Sequence, residues 1–417
     1  MSMNSLVATP IRAVLGVRLL DGHLVDVTIA GSEIASIQPA SGRPADADDE
    51  LDMRGYLLLP APAEPHAHLD KAGSASLVAT DRQGLEGAVG SWLEIAATAT
   101  VDDFAQRARV QLRRYLLSGT TAVRSHVDIL SGPEPLRGVE ALVRVREEFR
   151  GYLDLQLVAL AEQSIPLEHI ERALDLGVDL VGGAPQRAPQ PAEDLNRLID
   201  LAERRGLGID LHIDEALTGE VTLAQFASKV RGWPADRLRA AGHCVRLGTL
   251  PEAERDVVIA ATVGAGIAVI ALPQTNLYLQ GWDDPVSTPR GITAVGALLS
   301  AGGVVAAGGD NVQDPFNPMG RSDALETASL LVTAAHISVE EAYRAVSASA
   351  RRTMGLPSGG IRVGEAAELL LARGETLAEV VATGPPERTV IHQGRLVAMT
   401  HVSSSVAGPT GSPDSAA

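Results

Sequence analysis

The chain has 417 residues, 45% of them hydrophobic, a formal net charge of −17 and a single cysteine, Cys244. It therefore holds no internal disulfide, no apolar run of about 18 residues such as a membrane span needs, and no Lys/Arg cluster longer than a pair. A phosphate-backbone binder needs a basic face, so neither nucleic acid nor membrane is an expected partner, and the absence of a signal-peptide pattern points to the cytoplasm.

From about residue 10 to 58, short apolar stretches alternate with turns: "AVLGVRLL", "HLVDVTIAG", "EIASIQPA" and "YLLLP". A similar pattern returns near the other end in "ELLLARG", "VVATG" and "RTVIHQGRLVAM". Neither end is large enough for a core of its own, so residues 1–58 and 359–403 are expected to pair into one small β-sandwich. The last stretch, 404–417, is small, polar and Pro/Gly-rich, and reads as a disordered tail.

Between the two ends, residues 59–358 alternate buried strands with amphipathic helices. The strands read "YLLLPAPAE", "TTAVRSHV", "DLQLVALAE", "VDLVGGA", "GIDLHID", "LRAAGHC", "GIAVIALP" and "GVVAAGGD". Helical segments include "DDFAQRARVQLRRYLLSG", "LEHIERALDLG" and "AEDLNRLIDLAERRG", the last two ending in glycine as helix C-caps do. Eight strands with helical crossovers fit an α/β protein with a (β/α)8 TIM barrel. A doubly wound open sheet would show the same alternation.

The polar residues favour the barrel. His66 and His68 follow the first strand, His126 and Asp128 the second, Glu162 and Gln163 the third. His212, Asp214 and Glu215 follow the fifth, His243 the sixth and Asp310 the eighth. In a barrel these strand C-termini converge on one site; in an open sheet they would spread along an edge.

The residue types then suggest the chemistry. In "HAH" the two histidines share one side of an extended strand, because side chains alternate with period two. Two imidazoles can thus grip one metal ion, and His212 with Asp310 would complete a site suited to Zn2+ or Fe2+. Glu215 is close enough to shuttle protons beside a metal-bound water, and His243 could orient that water. Bland readings compete. An isolated H-x-H is a weak signal, His126 alone suits a structural hydrogen bond, and Cys244 reads as a small core residue. His23, His169, His336, His392 and His401 lie in the end segments or on helices. The joint order, H-x-H, then H-x-x-E, then H, then D, is specific.

Over nearly its whole length the chain resembles the amidohydrolase superfamily, and within it the cytosine deaminase branch. "LPAPAEPHAHLDKA", "TTAVRSHVDI", "LHIDE" and "AAGHC" are similar to the branch's first, second, fifth and sixth strand motifs. "LPQTNLYLQGW" and "GGDNVQDPFNPMG" resemble its segments after strands seven and eight. The resemblance implies the barrel with a terminal β-sandwich and one catalytic metal held by His66, His68, His212 and Asp310. It also implies roles. Asp310 takes a proton from the metal-bound water, and Glu215 passes protons to the ring nitrogen and the leaving group. His243 hydrogen-bonds the hydroxide, and no organic cofactor is needed. Asn276, Gln280, Trp282, Asn311 and Phe316 fall in the two loop segments expected at the substrate.

The sequence also departs from that branch. A glutamine after strand three, which can match an amide edge, is replaced by Glu162, with Gln163 next. An ionised Glu162 only accepts hydrogen bonds, so it would favour a ring edge with two donors; a one-residue slip would bring Gln163 inward instead. The loop tryptophan is Phe316, and a basic residue is Trp282. The expected activity is hydrolytic deamination of a small aminated heterocycle, cytosine-like, isocytosine-like or aminotriazine-like, through a metal-bound hydroxide. Ring-opening hydrolysis of a cyclic amide or imide, another C–N hydrolysis, and a non-catalytic binding protein are the alternatives. A homo-oligomer is left open.

Overall fold

The computed structural model describes residues 8–79, 82–284, 286–403 and residue 405. The tail expected at 404–417 thus lies almost wholly outside the described residues.

Eight parallel strands follow one another around a barrel in chain order. They are β1 (Ala63–Ala67), β2 (Ala122–Asp128), β3 (Asp154–Ala161), β4 (Leu180–Gly183), β5 (Gly208–Ile213), β6 (Arg239–His243), β7 (Ala268–Ala271) and β8 (Val305–Ala307). All eight expected strands are present, and the alternation resolves as a barrel because β8 returns to β1. The closure is local: the Asp310 N–H donates to His66 O at 3.1 Å, and Ala67 bridges Asp310 in parallel. Buried Glu64 on β1 adds to it, accepting from the His66 N–H (3.1 Å) and the Gly309 N–H (2.8 Å). A Cβ on Gly308 would stand 2.0 Å from Glu64 Oε1, which explains the "GG" before Asp310.

One expected element divides. "YLLLPAPAE" is two strands: Tyr56–Pro60 pairs antiparallel with Leu369–Arg373, and β1 starts only at Ala63. Pro60 and Pro62 lack the N–H a continuous ladder requires. The terminal segments do pair with each other, through Tyr56–Pro60, in a nine-stranded sheet around a separate core that includes Val14, Val27, Leu58, Leu369 and Ile391. Buried polar ties fasten this sheet to the barrel. Glu368 accepts from Thr121 Oγ1 (2.8 Å) and His392 Nδ1 (3.0 Å), and Arg388 donates twice to Asp323 at 2.8 Å.

The helices form where capping chemistry supports them. Val101–Leu117 begins with a reciprocal Thr100–Asp103 capping box, and Pro191–Arg205 ends at Gly206, whose φ of 66° favours a residue without a Cβ penalty. Helix α1 (Gly84–Thr98) lies between β1 and β2 in sequence and turns Trp92 into the structure. No helix among the described residues is long and apolar enough to cross a membrane.

Candidate active site

The C-terminal ends of β1, β5 and β8 bring four ligand-type atoms together. His212 Nε2 lies 3.2 Å from both His66 Nε2 and His68 Nε2. Asp310 Oδ1 lies 3.2 Å from His68 Nε2 and 3.8 Å from His66 Nε2. The sequence makes room for this: a Cβ on Gly242 would stand 2.7 Å from the His66 ring, so β6 needs a glycine beside it.

The cluster fits a cation. Its side chains are buried, and neither Asp310 oxygen has a hydrogen-bond donor among the described residues. Burial first, then the neighbouring imidazoles, push His66 and His212 well below the usual histidine range, so both present lone pairs. Burial opposes the Asp310 charge, but His68 and His243 outweigh it and hold the carboxyl below its usual value. Three imidazoles and a carboxylate packed this closely away from water are costly unless a positive centre joins them. Ligands about 2.1 Å from a tetrahedral ion lie about 3.4 Å apart, close to the spacing here.

His243 and Glu215 flank that centre. The His243 Nδ1–H donates to Asn276 Oδ1 at 3.0 Å and lies 3.7 Å from Glu215 Oε1. Its Nε2 then faces Asp310 Oδ2 at 3.9 Å. Burial works against a charge on His243, but Glu215 and Asp310 raise it above the ordinary value. His243 and Asp310 both adopt left-handed backbone, with φ of 67° and 60°, as does Asp214 at 50°. Asp214 supports the local fold, because its carboxylate accepts from the Thr222 and Leu223 N–H groups (2.9 and 3.0 Å) at the start of a helix.

A cavity of about 860 Å³, mouth included, opens above these groups. His68, His212, His243, Glu215, Asn311 and Phe316 line its inner part. Asp314 shapes that side, accepting from the Phe316 N–H (2.9 Å), the Asn317 N–H (3.2 Å) and Asn311 Nδ2 (2.8 Å). Burial pushes this carboxyl up to about 6.

Four residues expected at the substrate do not line this cavity. Gln163 turns sideways, its amide bonding Gln190, because adjacent residues leaving β3 face opposite sides. Gln280 donates to Glu215 O (2.7 Å) and so braces the loop behind that side chain. Trp282 is 43% exposed and donates to Tyr278 O. Asn276 is buried behind His243. Glu162 does line the cavity, but its carboxylate is 58% exposed and 3.5 Å from Arg187. Conversely, the sequence reading missed Lys71, Trp92 and Arg187 as lining residues.

A second polar group lies below the cluster. His126 stacks 4.0 Å from the His66 ring, its Nε2 is 3.7 Å from Asp210 Oδ1, and Asp210 Oδ2 accepts from Arg124 at 2.7 Å. The signal was available: Arg124 and His126, like Asp210 and His212, are two apart on a strand and so share a face.

Residues 85–398 match the model of the amidohydrolase family. This chain belongs to the amidohydrolase family. A pterin deaminase of Rhizobium rhizogenes is 31% identical over 384 residues, covering 89% of this chain and 87% of that protein. The solved structure of a 5-methylcytosine deaminase from Klebsiella pneumoniae, liganded with 5-fluorocytosine, superposes with a TM-score of 0.87 at 26% identity, covering 96% of this chain and all of that one. An N-isopropylammelide isopropylaminohydrolase from Burkholderia multivorans superposes at 0.78 with 29% identity, covering 93% and 98%. This amidohydrolase is a hydrolase of carbon–nitrogen bonds other than peptide bonds, and its family together with its buried histidines supports a metal cofactor.

Proposed function

We propose that this chain is a hydrolytic deaminase of a small aminated nitrogen heterocycle, with one divalent ion, zinc or iron, held by His66, His68, His212 and Asp310. The observation that carries the reading is the convergence of three Nε2 atoms and Asp310 Oδ1 beside Glu215, itself 4% exposed, at the floor of one cavity. Bound there, the ion supplies Lewis acidity and makes water a nucleophile near neutral pH.

The side chains do the rest. Asp310 Oδ2, which has no hydrogen-bond donor among the described residues, accepts the proton lost as water attacks the amine-bearing ring carbon. Glu215 carries protons to the ring nitrogen and then to the departing amine. Asn276 holds the His243 Nδ1–H, so Nε2 is directed at the attacking oxygen. The carbon–oxygen bond forms, the carbon–nitrogen bond breaks, and ammonia and a ring carbonyl leave.

The relative that acts on pterin supports an isocytosine-like ring, since the pyrimidine half of pterin carries the 2-amino-4-oxo pattern. The isopropylammelide relative favours a second reading, in which the leaving group is an alkylamine. One experiment decides: metal-loaded protein is assayed for ammonia and isopropylamine across isocytosine, cytosine, pterins, aminotriazines and N-alkyl aminotriazines, with Glu215→Gln as control. Amine release that the control abolishes supports the proposal. A new carboxylate with no amine released would replace it with ring-opening hydrolysis.

A further inference from the structure

A deaminase of amide-like rings must tell a ring C=O/N–H edge from its reverse. The residues after β3 are poorly placed for this here, since Gln163 bonds Gln190 and Glu162 is mostly in solvent beside Arg187. Another pair is better placed. Lys71, one of only two lysines in the chain, lines the cavity 2% exposed, next to the histidine cluster. Its Nζ donates to Asp128 Oδ2 at 2.9 Å and lies 5.2 and 5.4 Å from the ring centroids of Trp92 and Phe316. Asp70 Oδ2, at 3.9 Å, is beyond hydrogen-bond reach.

The hydrogen-bond count leaves both groups with spare capacity. An ammonium has three protons, and only one finds an acceptor among the described residues. Asp128 Oδ2 takes both Lys71 and the Trp92 indole N–H (2.5 Å), while its Oδ1 accepts nothing from the described residues. A donor and an acceptor thus stand side by side in the wall of the cavity. Both are charged, which makes such bonds shorter and stronger than neutral ones. The aromatic faces of Trp92 and Phe316 hold the ammonium between them.

We infer that Lys71 and Asp128 read the substrate: Lys71 donates to a ring carbonyl and Asp128 Oδ1 accepts from the adjacent ring N–H. The inference rests on the heterocycle reading above and narrows it to rings with a 4-oxo, N3–H edge beside the amine-bearing carbon, as in isocytosine. Arg187 and Glu162 lie further out, at the mouth.

The test measures binding, so it does not depend on turnover. Isocytosine, 2-aminopyrimidine and 2,4-diaminopyrimidine are titrated calorimetrically into metal-loaded Glu215→Gln protein. Isocytosine should bind at least about 100-fold more tightly than 2,4-diaminopyrimidine, whose donor and acceptor are reversed, since a site built for a hydrogen-bonded group rejects the mismatch strongly. Equal or tighter binding of the diamine overturns the inference without any change to Lys71 or Asp128. The double variant Lys71→Met/Asp128→Asn removes the hydrogen-bonded charge pair together, leaving buried Asp70, 3.9 Å from the Lys71 Nζ, as the one carboxylate there. In it the preference should collapse while metal content stays as in the parent. A preference that survives there, or that is lost in Glu162→Gln instead, assigns the edge to the residues after β3. Absence of amine release by protein with Glu215 intact, alongside the expected ring preference, would sink the deaminase reading and leave this one standing.

Discussion

The floor and the mouth of the cavity are built by different physics. At the floor, His66, His68, His212, His243 and Asp310 are buried and sit at or just past strand ends, and two of them adopt left-handed backbone. Such strain costs on the order of 1–3 kcal/mol per residue and persists only where the surroundings over-determine it. Here Glu64, Gly242, Gly308 and Asn276 do so. At the mouth, Arg187 bonds Glu86 at 3.2 and 3.3 Å and approaches Glu162 at 3.5 Å, all on connecting segments and partly in solvent. Exposed pairs of this kind contribute roughly 0–1 kcal/mol. The floor can therefore hold atoms in place for chemistry, whereas the mouth can change with little cost to the fold.

The largest effect should come from His212, whose Nε2 stands between those of His66 and His68. His212→Ala should leave the protein folded, empty it of metal, and lower activity by about 10³-fold or more, because the ion supplies several kcal/mol. Metal analysis of the purified variant checks this, and stoichiometric metal would contradict the ligand set. Glu215→Gln should come next. Its shape is kept and it holds no metal, so metal content should be normal while kcat falls by about 10²–10⁴-fold, the usual contribution of a positioned proton carrier.

This division also decides what could be read in the sequence. The barrel was legible because eight apolar strands alternate with helices that carry their own caps, and because polar residues followed those strands. The floor was legible for the same reason: H-x-H, H-x-x-E, H and D each mark a strand end, which the fold converts into one point. The split of "YLLLPAPAE" was written in Pro60 and Pro62 but was overridden by the apolar run. The wall above was hard to read. Lys71 and Asp128 are far apart in the chain and meet only because β1 and β2 are neighbours; Trp92 shares the buried face of α1 with Ala88 and Ala96, which reads as ordinary core, and Arg187 ends a short turn whose direction no periodicity sets. Gln280 occupies an expected loop position, yet it bonds the Glu215 backbone, a contact that depends on how two loops pack.

Asn276 lies between the two regimes. It is buried and bonds the ring of His243, yet it does not line the cavity. Asn276→Ala should let the His243 ring turn and free its Nδ1–H. A partner of this kind supports about 10–100-fold in activity, and the loss should fall on kcat with KM nearly unchanged. A loss confined to KM would move Asn276 to the substrate, where the sequence had placed it.

The smallest effect is expected at Arg187. Its partners, Glu86 and Glu162, are both largely solvated, so Arg187→Ala removes pairs that salt already screens. Unfolding free energy should change by less than about 1 kcal/mol. Metal content and kcat should hold, because no bond links Arg187 to the cluster. What should change is KM, by a few-fold at most, since Arg187 helps set how Glu162 and α1 frame the opening. Steady-state kinetics at two salt concentrations tests this: raising the salt should shift the parent's KM toward that of the variant. A kcat loss approaching that of Glu215→Gln would mean that the mouth is part of the reacting centre and that floor and mouth are one device.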